Sequence, residues 1–403
     1  MSSKNNLALA RGRPAMRASL ESSPSTTAIA ATATAATAAT ATTATTTVGD
    51  DGGSDGGDGD IPVLLALTPS ERERFFKERA PEYFEFPQGR KIRWLRWDVT
   101  DEESDADGWE KILPRLNPAA IIGAWEMPPL TTGLLARCPA LRGFFYLAGS
   151  VRAKIPREFI EHGGIVTNWG DEAAPTVAEC ALMLALMCLR QATRYALEMH
   201  VDRAWTSPGK YPRLPRPRSL LRRRVGIHGF GAVARALIRL LAPFGTHIEA
   251  FSAPVPDGVY AKHGVTKACD LAALYRDNDV VFIAEALTPE TRQCVGAALL
   301  SQLRPGAVLV NVARGGLVDE PALAALAARG EVQIGLDVFT VEPLPADSPL
   351  RGLRNVSLLP HTAGPTIDWY PQCGRRAMKN LEAWLAGRMP PDAISPRQYD
   401  MAT

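Results

Sequence analysis

Four side chains suited to acid–base or anion-binding chemistry lie late in the 403-residue chain, namely Arg314, Asp337, Glu342 and His361. Three of them come shortly after apolar runs that predict β-strands, and Glu342 follows Asp337 in the same loop. In an open, doubly wound sheet, ligands bind outside the carboxyl ends of the strands. Taken singly, Arg314 is compatible with a surface ion pair and His361 with an ordinary loop residue. Asp319, five residues after Arg314, is compatible with a helix cap. Their shared position at strand ends favours a common site.

A glycine-rich turn is expected at the same edge. The apolar run 225–228 enters Gly229-x-Gly231-x-x-Ala234, and a helical pattern leaves it. In a dinucleotide-binding motif of this form, Gly229 permits the tight turn, Gly231 admits a pyrophosphate, and Ala234 packs the helix on the strand. Unpaired N–H groups and the helix dipole then favour the phosphates. A purely structural glycine turn is the alternative.

The elements that position these residues belong to an ordinary globular chain. Hydrophobic residues make up 46% of it and charged residues 22%, and its length predicts two to three domains. The formal net charge of +2 does not indicate nucleic acid or a membrane surface as the main partner. The six cysteines form no CxxC pair, so we expect reduced thiols in a cytoplasmic protein, and no motif resembles a metal site.

The most apolar stretch, 177–189, contains Glu179 and is shorter than the roughly 20 residues of a membrane span. We therefore expect it to begin one long, buried helix over 177–200. By contrast, residues 1–60 consist largely of Ala/Thr and Gly/Asp repeats, which predict a disordered low-complexity tail. The early arginines also give this tail a faint similarity to a transit peptide, so a targeting segment stays open.

From residue 61 onward, strands alternate with helical patterns, which predicts parallel-sheet α/β domains. A first, smaller, flavodoxin-like domain over 61–170 is expected to be completed by 365–403. Its predicted strands are 63–67, 92–97, 119–124, 143–147 and 165–167, with helices over 70–79 and 156–162 among them.

The second predicted domain, 171–364, is a doubly wound Rossmann domain. A Pro- and Arg-rich stretch, 207–224, is expected to be a surface loop leading into its first strand. The predicted strands are 225–228, 247–251, 280–284, 307–312, 332–336 and 356–359, with helices that include 299–303 and 320–329. Three further histidines, His228, His247 and His263, are expected to be structural or on the surface.

From about residue 61 to residue 388, the chain resembles the D-isomer-specific 2-hydroxyacid dehydrogenase family. The resemblance rests on the glycine turn, on 311–320, on 336–343 and on Pro360-His361-Thr362-Ala363-Gly364, in this order and spacing. It implies a catalytic trio of Arg314, Glu342 and His361. It also implies a homodimer.

The implied roles are chemically coherent. Reduction of a 2-keto acid needs a proton at the carbonyl oxygen, and an imidazole exchanges protons near neutral pH. Glu342 would orient His361 and favour its charged form, while Arg314 would bind the substrate carboxylate and carbonyl. Backbone N–H groups of a substrate loop would hold the carboxylate, and the resemblance assigns this loop to Gly149, Ser150 and Val151.

The resemblance also implies a set of cofactor contacts around an NAD or NADP molecule. Asp337 is expected to bond the carboxamide, with a structural loop cap as the alternative. The full set is Gly229, Gly231, Ala232, Val233, Ser252, Glu285, Ala286, Thr291, Val312, Ala313, Arg314, Asp337, His361, Ala363 and Gly364.

Two departures from the family pattern stand out. Ser252 occupies the position of the acid that selects NAD by bonding the ribose hydroxyls, and no arginine follows at once to bind a 2′-phosphate. The choice between NAD and NADP therefore stays open. Ala286 replaces the usual proline of the cofactor loop. Three tryptophans, Trp125, Trp169 and Trp369, either shape a substrate pocket or pack in the core.

The sequence therefore predicts an NAD(P)-dependent oxidoreductase acting on a D-2-hydroxyacid or its 2-keto partner, of the glyoxylate/hydroxypyruvate reductase kind. One alternative is a dinucleotide-sensing, corepressor-like binding protein. Another is oxidation of a different small anion, such as formate or phosphite.

Overall fold

The computed structural model describes residues 60–77, 79–84, 86, 91–98, 106–205, 216–253 and 255–401, with side chains not described at 106, 107 and 401. All but the last residue of the predicted disordered tail lies outside the described residues. The first half of the predicted surface loop 207–224, residues 207–215, does as well.

The first described sheet has five parallel strands in the order β2-β1-β3-β4-β5. This is the strand order of flavodoxin-like folds, as predicted. Its register pairs Ile61 with Ile92 and Val63 with Ala120. The strands are β1 (Ile61–Leu67), β2 (Ile92–Asp98), β3 (Ala120–Gly123), β4 (Gly143–Tyr146) and β5 (Ile165–Thr167).

Helices connect these strands, as right-handed parallel crossovers require. The first begins in a capping box, in which the Thr68 side chain accepts from the Glu71 backbone N–H and the Glu71 side chain accepts in return. It ends at Phe76, earlier than the predicted residue 79. The four helices are α1 (Pro69–Phe76), α2 (Ala106–Leu116), α3 (Thr132–Ala136) and α4 (Arg157–Glu161).

The single long helix predicted over 177–200 is wrong. Two helices occupy the segment, α5 (Ala174–Arg190) and α6 (Ala192–His200), bent by 65°. Gln191 lies between them at φ 58°, a left-handed conformation that an α-helix cannot contain. No single described helix is long and apolar enough to cross a membrane, although this bent pair passes that test by length and composition.

The second described sheet has seven parallel strands in the order β12-β11-β10-β9-β6-β7-β8, a Rossmann order extended by one strand. The sequence analysis did not predict β8, a strand of only two residues that are both exposed. The strands are β6 (Arg224–His228), β7 (His247–Phe251), β8 (Thr266–Lys267), β9 (Val280–Ile283), β10 (Val308–Asn311), β11 (Gln333–Leu336) and β12 (Val356–Leu358).

The sheet is covered on one side by α5, whose buried Ala181, Leu184 and Ala185 share one core with Val308 and Val310. The helix predicted at 299–303 begins two residues earlier and ends three residues earlier, because a turn begins at residue 301. The connecting helices are α7 (Ala232–Leu241), α8 (Asp257–Ala261), α9 (Leu271–Asp277), α10 (Ala297–Leu300) and α11 (Glu320–Ala328).

The chain then returns to the first sheet through α12 (Tyr370–Leu385) and α13 (Pro396–Met401). Cys373, Ala377 and Leu381 of α12 are buried in one core with strand residues of β1 and β4. In α13, the Tyr399 hydroxyl donates to the Ile155 carbonyl at 2.8 Å. These contacts are compatible with the predicted domain boundaries at 61–170, 171–364 and 365–403, which stay a prediction.

All six cysteines lie within the described residues and are free thiols. Burial raises the pKa of Cys188 and of Cys373 to about 12, so both thiols stay protonated at neutral pH.

Candidate active site

The glycine turn joins β6 to the N-terminus of α7. Gly229 has a φ of 109°, and a Cβ there would lie 2.3 Å from the Ala284 carbonyl oxygen. Only glycine therefore allows the chain after β9 to pass this close. A Cβ on Gly231 would meet nothing within 4 Å, so the space over the first turn of α7 is open. An open cradle at a helix N-terminus fits a pyrophosphate.

A cavity of about 760 Å³ opens beside this turn. Its wall on the second sheet includes His228 and the loop that follows β9, with Glu285, Ala286 and Thr291. Arg152, next to the predicted substrate loop, faces them from the first sheet, and Arg397 and Asp400 do so from α13. Elements of both sheets thus enclose one cleft, and its size suits the nucleoside part of a dinucleotide.

The two predicted acid–base residues are in contact. His361 Nδ1 lies 2.6 Å from Glu342 Oε2, and Glu342 Oε1 accepts from the Phe339 backbone N–H at 2.9 Å. His361 has a φ of 54°, and its N–H donates to the Asp337 carbonyl at 2.9 Å. The loops after β11 and β12 therefore fix the imidazole, although the His361 side chain stays 45% exposed.

Asp337 holds the backbone around His361. Its carboxylate accepts from the N–H groups of Thr362 at 2.8 Å and Ala363 at 3.0 Å. Burial raises the pKa of Asp337, and these two N–H groups and His361 act in the opposite direction. The bonds are those of the loop-cap alternative, and the predicted carboxamide contact stays a prediction.

Arg314 is fixed by the loop after β10. Asn311 accepts from the Ala313 N–H and donates to the Arg314 carbonyl, both at 3.0 Å. A Cβ on Gly315 would lie 1.9 Å from the Phe339 carbonyl carbon, so only glycine lets this loop pack against the next. Burial lowers the pKa of Arg314, and the nearby Glu342 carboxylate acts to raise it. The Arg314 guanidinium therefore lies within electrostatic reach of the Glu342 carboxylate.

Ser252 and Glu285 form a contact that sequence reasoning missed. The Ser252 hydroxyl donates to Glu285 Oε2 at 2.7 Å, and the Ala286 N–H donates to Glu285 Oε1 at 3.0 Å. Tyr260 fixes Ser252 by accepting from its N–H at 2.9 Å and donating to its carbonyl at 3.0 Å. The only sequence signal was an acid placed directly after a strand end.

The loop that lacks the family's proline is held by hydrogen bonds instead. Thr291 Oγ1 donates to the Ala286 carbonyl at 2.6 Å and accepts from the Thr288 N–H at 2.7 Å. The other predicted cofactor positions lie at the same sheet edge. Ala232 and Val233 are in the first turn of α7, Val312 and Ala313 follow β10, and Ala363 and Gly364 follow His361.

The predicted substrate loop follows β4. Asn168 donates to the Gly149 carbonyl at 2.6 Å, Val151 is buried, and Ser150 between them is partly exposed. Lys154 ties this loop to the one after β3 by donating to the carbonyls of Trp125 at 2.5 Å and Met127 at 2.7 Å. The loop is therefore held at the carboxyl end of its own sheet.

The three tryptophans make packing contacts. Trp125 lies 5.3 Å from Phe75 and 6.2 Å from Trp169, measured between ring centroids. Trp369 Nε1 donates to the Glu172 carbonyl at 2.8 Å. These are the contacts that the packing alternative predicts.

Among the other histidines, His228 is buried and lies 3.1 Å from the Tyr275 hydroxyl, while His247 and His263 are exposed. Burial lowers the pKa of His228 to about 4, so its ring is neutral at pH 7. Within the described ranges, no group of three or more His, Cys, Asp or Glu side chains is arranged to hold a metal ion.

Comparisons with known proteins agree with this architecture. A family model described as "D-isomer specific 2-hydroxyacid dehydrogenase, NAD binding domain" matches residues 182–363. Glyoxylate/hydroxypyruvate reductase B of Pectobacterium carotovorum is 32% identical over 251 residues, 59% of this chain and 73% of that protein. Glyoxylate reductase of Korarchaeum cryptofilum is 30% identical over 288 residues, 70% of this chain and 85% of that protein.

Among solved structures, an NADPH-dependent glyoxylate/hydroxypyruvate reductase from Sinorhizobium meliloti, crystallised with citrate, is 26% identical. It covers 83% of this chain and 98% of its own, with a TM-score of 0.63. The similarity therefore extends over both sheets.

Proposed function

The chain belongs to the D-isomer-specific 2-hydroxyacid dehydrogenase family, and on that premise we propose that it interconverts a small 2-keto acid and its D-2-hydroxyacid with NAD(P)H or NAD(P)⁺. The observation that carries the proposal is the 2.6 Å contact between His361 and Glu342 at the sheet edge that also holds Arg314 and the Gly229 turn.

Residues of the glycine turn, with Ser252, Glu285 and Thr291 beside them, would hold the dinucleotide along the cleft. The observation in favour is the open cradle over Gly231 and the cavity beside it. When bound, the dinucleotide supplies or accepts the hydride.

His361 is the proposed acid–base residue. Because Nδ1 bonds to Glu342, Nε2 is the ring nitrogen that would exchange a proton with the substrate oxygen. Glu342 would set the ring orientation, since the Phe339 N–H fixes its other oxygen.

Arg314 is the proposed ligand of the substrate carboxylate and carbonyl. A guanidinium binds a carboxylate through two parallel hydrogen bonds, which fixes the carbonyl carbon and stabilises charge that develops on its oxygen. N–H groups of Gly149, Ser150 and Val151 would bind the carboxylate from the facing sheet, and closure of the cleft would exclude water.

A substrate panel tests the proposal. We expect oxidation of NADH or NADPH with at least one of glyoxylate, hydroxypyruvate, pyruvate and bulkier 2-keto acids. The names of the relatives place the first two at the head of the panel, and the NADPH-dependence in one name keeps both cofactors in it. The His361→Ala variant, purified in parallel, controls for contaminating reductases.

Absence of turnover with every keto acid, in folded protein, would overturn the proposal. Tight dinucleotide binding without turnover would favour a sensing protein instead, and turnover only with formate or phosphite would favour oxidation of another anion. The predicted homodimer and cytoplasmic location stay predictions, and light scattering of the purified chain measures the first.

A further inference from the structure

Ser252 rather than an acid follows β7, and Glu285, which follows β9, accepts a hydrogen bond from it. Resting on the proposed function, we propose that Glu285 selects NAD(H) over NADP(H), with its carboxylate taking the place of the acid that family members carry at the position of Ser252. The selecting group would thus reach the ribose site from the loop after β9.

The route of this side chain explains why the substitution works. In the sheet, β6 lies between β7 and β9, so Ser252 and Glu285 follow strands that are not neighbours. The chain at Ala284 crosses directly over Gly229, where a Cβ would lie 2.3 Å from the Ala284 carbonyl oxygen and 2.6 Å from the Glu285 nitrogen. This close crossing carries Glu285 to the end of β7.

The carboxylate is anchored and retains capacity for a ligand. It accepts one hydrogen bond on each oxygen, from Ser252 and from the Ala286 N–H. A carboxylate has about four acceptor positions, so two remain for the ribose hydroxyls. Glu285 is also partly exposed and lines the cavity, whereas Ser252 is buried and only 3% exposed. The group that faces a ligand is therefore the acid and not the hydroxyl.

The chemistry of the two cofactors differs at the ribose 2′ position. The 2′-hydroxyl of NAD(H) donates a hydrogen bond, which a carboxylate accepts, whereas the 2′-phosphate of NADP(H) is an anion and donates little. Placed beside Glu285, the phosphate would meet a fixed like charge in a partly buried site. The geometry therefore favours the cofactor without the phosphate.

Two arginines in the same cavity would favour the opposite choice, NADP(H). Arg152 and Arg397 line it from the first sheet and from α13, and either cation would attract a phosphate. The acid Asp400, which accepts from Arg157 at 2.8 Å, also lines this part of the cavity, so the wall carries charges of both signs. Since Ser252 is bonded to Glu285 and Tyr260, the ribose position itself presents an acid rather than a cation.

Direct binding measurements with NADH and NADPH test the proposal without requiring turnover. We expect the full-length protein to bind NADH at least about tenfold more tightly than NADPH. Glu285→Gln, which keeps size and removes charge, is expected to narrow this ratio by about tenfold, mainly through tighter NADPH binding. Glu290→Gln is the matched control, because Glu290 lines the same cavity but bonds to Thr288 within its own loop.

A double variant moves the acid back. Glu285→Ala is expected to lose the preference for NADH, and Glu285→Ala combined with Ser252→Asp is expected to restore it. Circular dichroism at each step shows that the variants are folded, and the isosteric Gln variant supports the test if the Ala variants are unstable.

Several outcomes overturn the proposal: equal or tighter binding of NADPH to the wild type, an unchanged ratio in Glu285→Gln, or the same change in Glu290→Gln. If Arg152→Gln rather than Glu285→Gln shifts the ratio, the arginine selects. Failure of the proposed function looks different, since it appears as binding without turnover. Binding of neither cofactor overturns both.

Discussion

Two corners of the same sheet edge are built in different ways. The histidine corner comprises Arg314, Asp337, Glu342 and His361, whose loops follow the adjacent strands β10, β11 and β12. The serine corner comprises Ser252, Tyr260 and Glu285, and it joins β7 to β9 across the intervening β6.

The anchors of the two corners differ accordingly. In the histidine corner, both carboxylates are held by backbone N–H groups, those of Phe339 for Glu342 and of Thr362 and Ala363 for Asp337. In the serine corner, the Ala286 N–H holds one Glu285 oxygen, and the Ser252 hydroxyl, from a strand not adjacent to β9, holds the other. The two glutamates therefore differ in their side-chain partner, which is the proposed acid–base residue His361 for Glu342 and a serine hydroxyl for Glu285. We therefore expect substitutions in the first corner to alter chemistry and in the second to alter cofactor choice.

The largest effect is expected from His361→Ala. Loss of the proposed proton-exchanging group is expected to lower turnover by about 10²- to 10⁴-fold. NADH is still expected to bind, because the glycine turn and the other predicted cofactor positions are untouched. Steady-state kinetics and NADH titration measure the two quantities.

His162→Ala is the matched control for this prediction. His162 is also exposed, and its Nδ1 lies 2.7 Å from the Glu158 carbonyl of its own helical segment. Full activity in His361→Ala, or an equal loss in His162→Ala, contradicts the assignment.

A second prediction concerns His228, the last residue of β6, which lies between the two strands that the serine corner joins. Burial lowers its pKa from 6.5 to about 4, so the unfolded chain takes up a proton at a higher pH than the folded protein. This contribution to stability is fully present above pH 6.5 and is lost as the pH falls toward 4. The loss amounts to about 3 kcal/mol.

The measurement is the free energy of unfolding in urea between pH 7 and pH 4. In His228→Asn, the pH dependence is expected to be flatter than in the wild type, because other titrating groups cancel in the difference. His247→Asn, on the neighbouring strand and exposed, should retain the wild-type slope. Parallel slopes for wild type and His228→Asn would show that the ring is charged or solvated in the folded state.

Much of the fold was predictable from the sequence, because apolar runs alternate with helical patterns and leave few topologies for two parallel sheets. The exceptions have physical reasons. The predicted long helix is broken at Gln191, which has a positive φ. The residue type does not indicate this conformation, which is typical of glycine. Strand β8 consists of Thr266 and Lys267, whose side chains are both exposed. No apolar residue therefore marks this strand in the sequence.

The histidine corner was predictable for a related reason. Its residues follow consecutive strands, so their order in the chain implies their proximity in space, and the contact between Glu342 and His361 is found at 2.6 Å. The bond between Ser252 and Glu285 was not predictable, because it depends on how closely the chain crosses Gly229. Their separation of 33 residues carries no such information.

A third prediction tests the binding geometry of the histidine corner. Arg314→Lys keeps the positive charge but removes the two parallel hydrogen bonds, so we expect kcat/KM for the keto acid to fall about 10- to 100-fold. The NADH:NADPH ratio is expected to stay unchanged, because Ser252 and Glu285 are untouched. Arg292→Lys is the control. The Arg292 guanidinium lies near Gly316, in the loop after β10 that also carries Arg314, so the same replacement is made beside the proposed substrate ligand and not at it. A changed cofactor ratio in Arg314→Lys would show that the corners are coupled.

The smallest effect is expected from Ser252→Ala, which removes the hydroxyl that anchors Glu285. The carboxylate keeps its bond from the Ala286 N–H and its charge, so the ratio between NADH and NADPH binding is expected to change only about threefold. Titration of both cofactors into the variant measures this. A change this small would show that the Ala286 N–H alone keeps the Glu285 carboxylate in place. A loss of preference as large as that in Glu285→Gln would instead show that the hydroxyl positions the acid, and that the serine corner depends on a single side-chain bond.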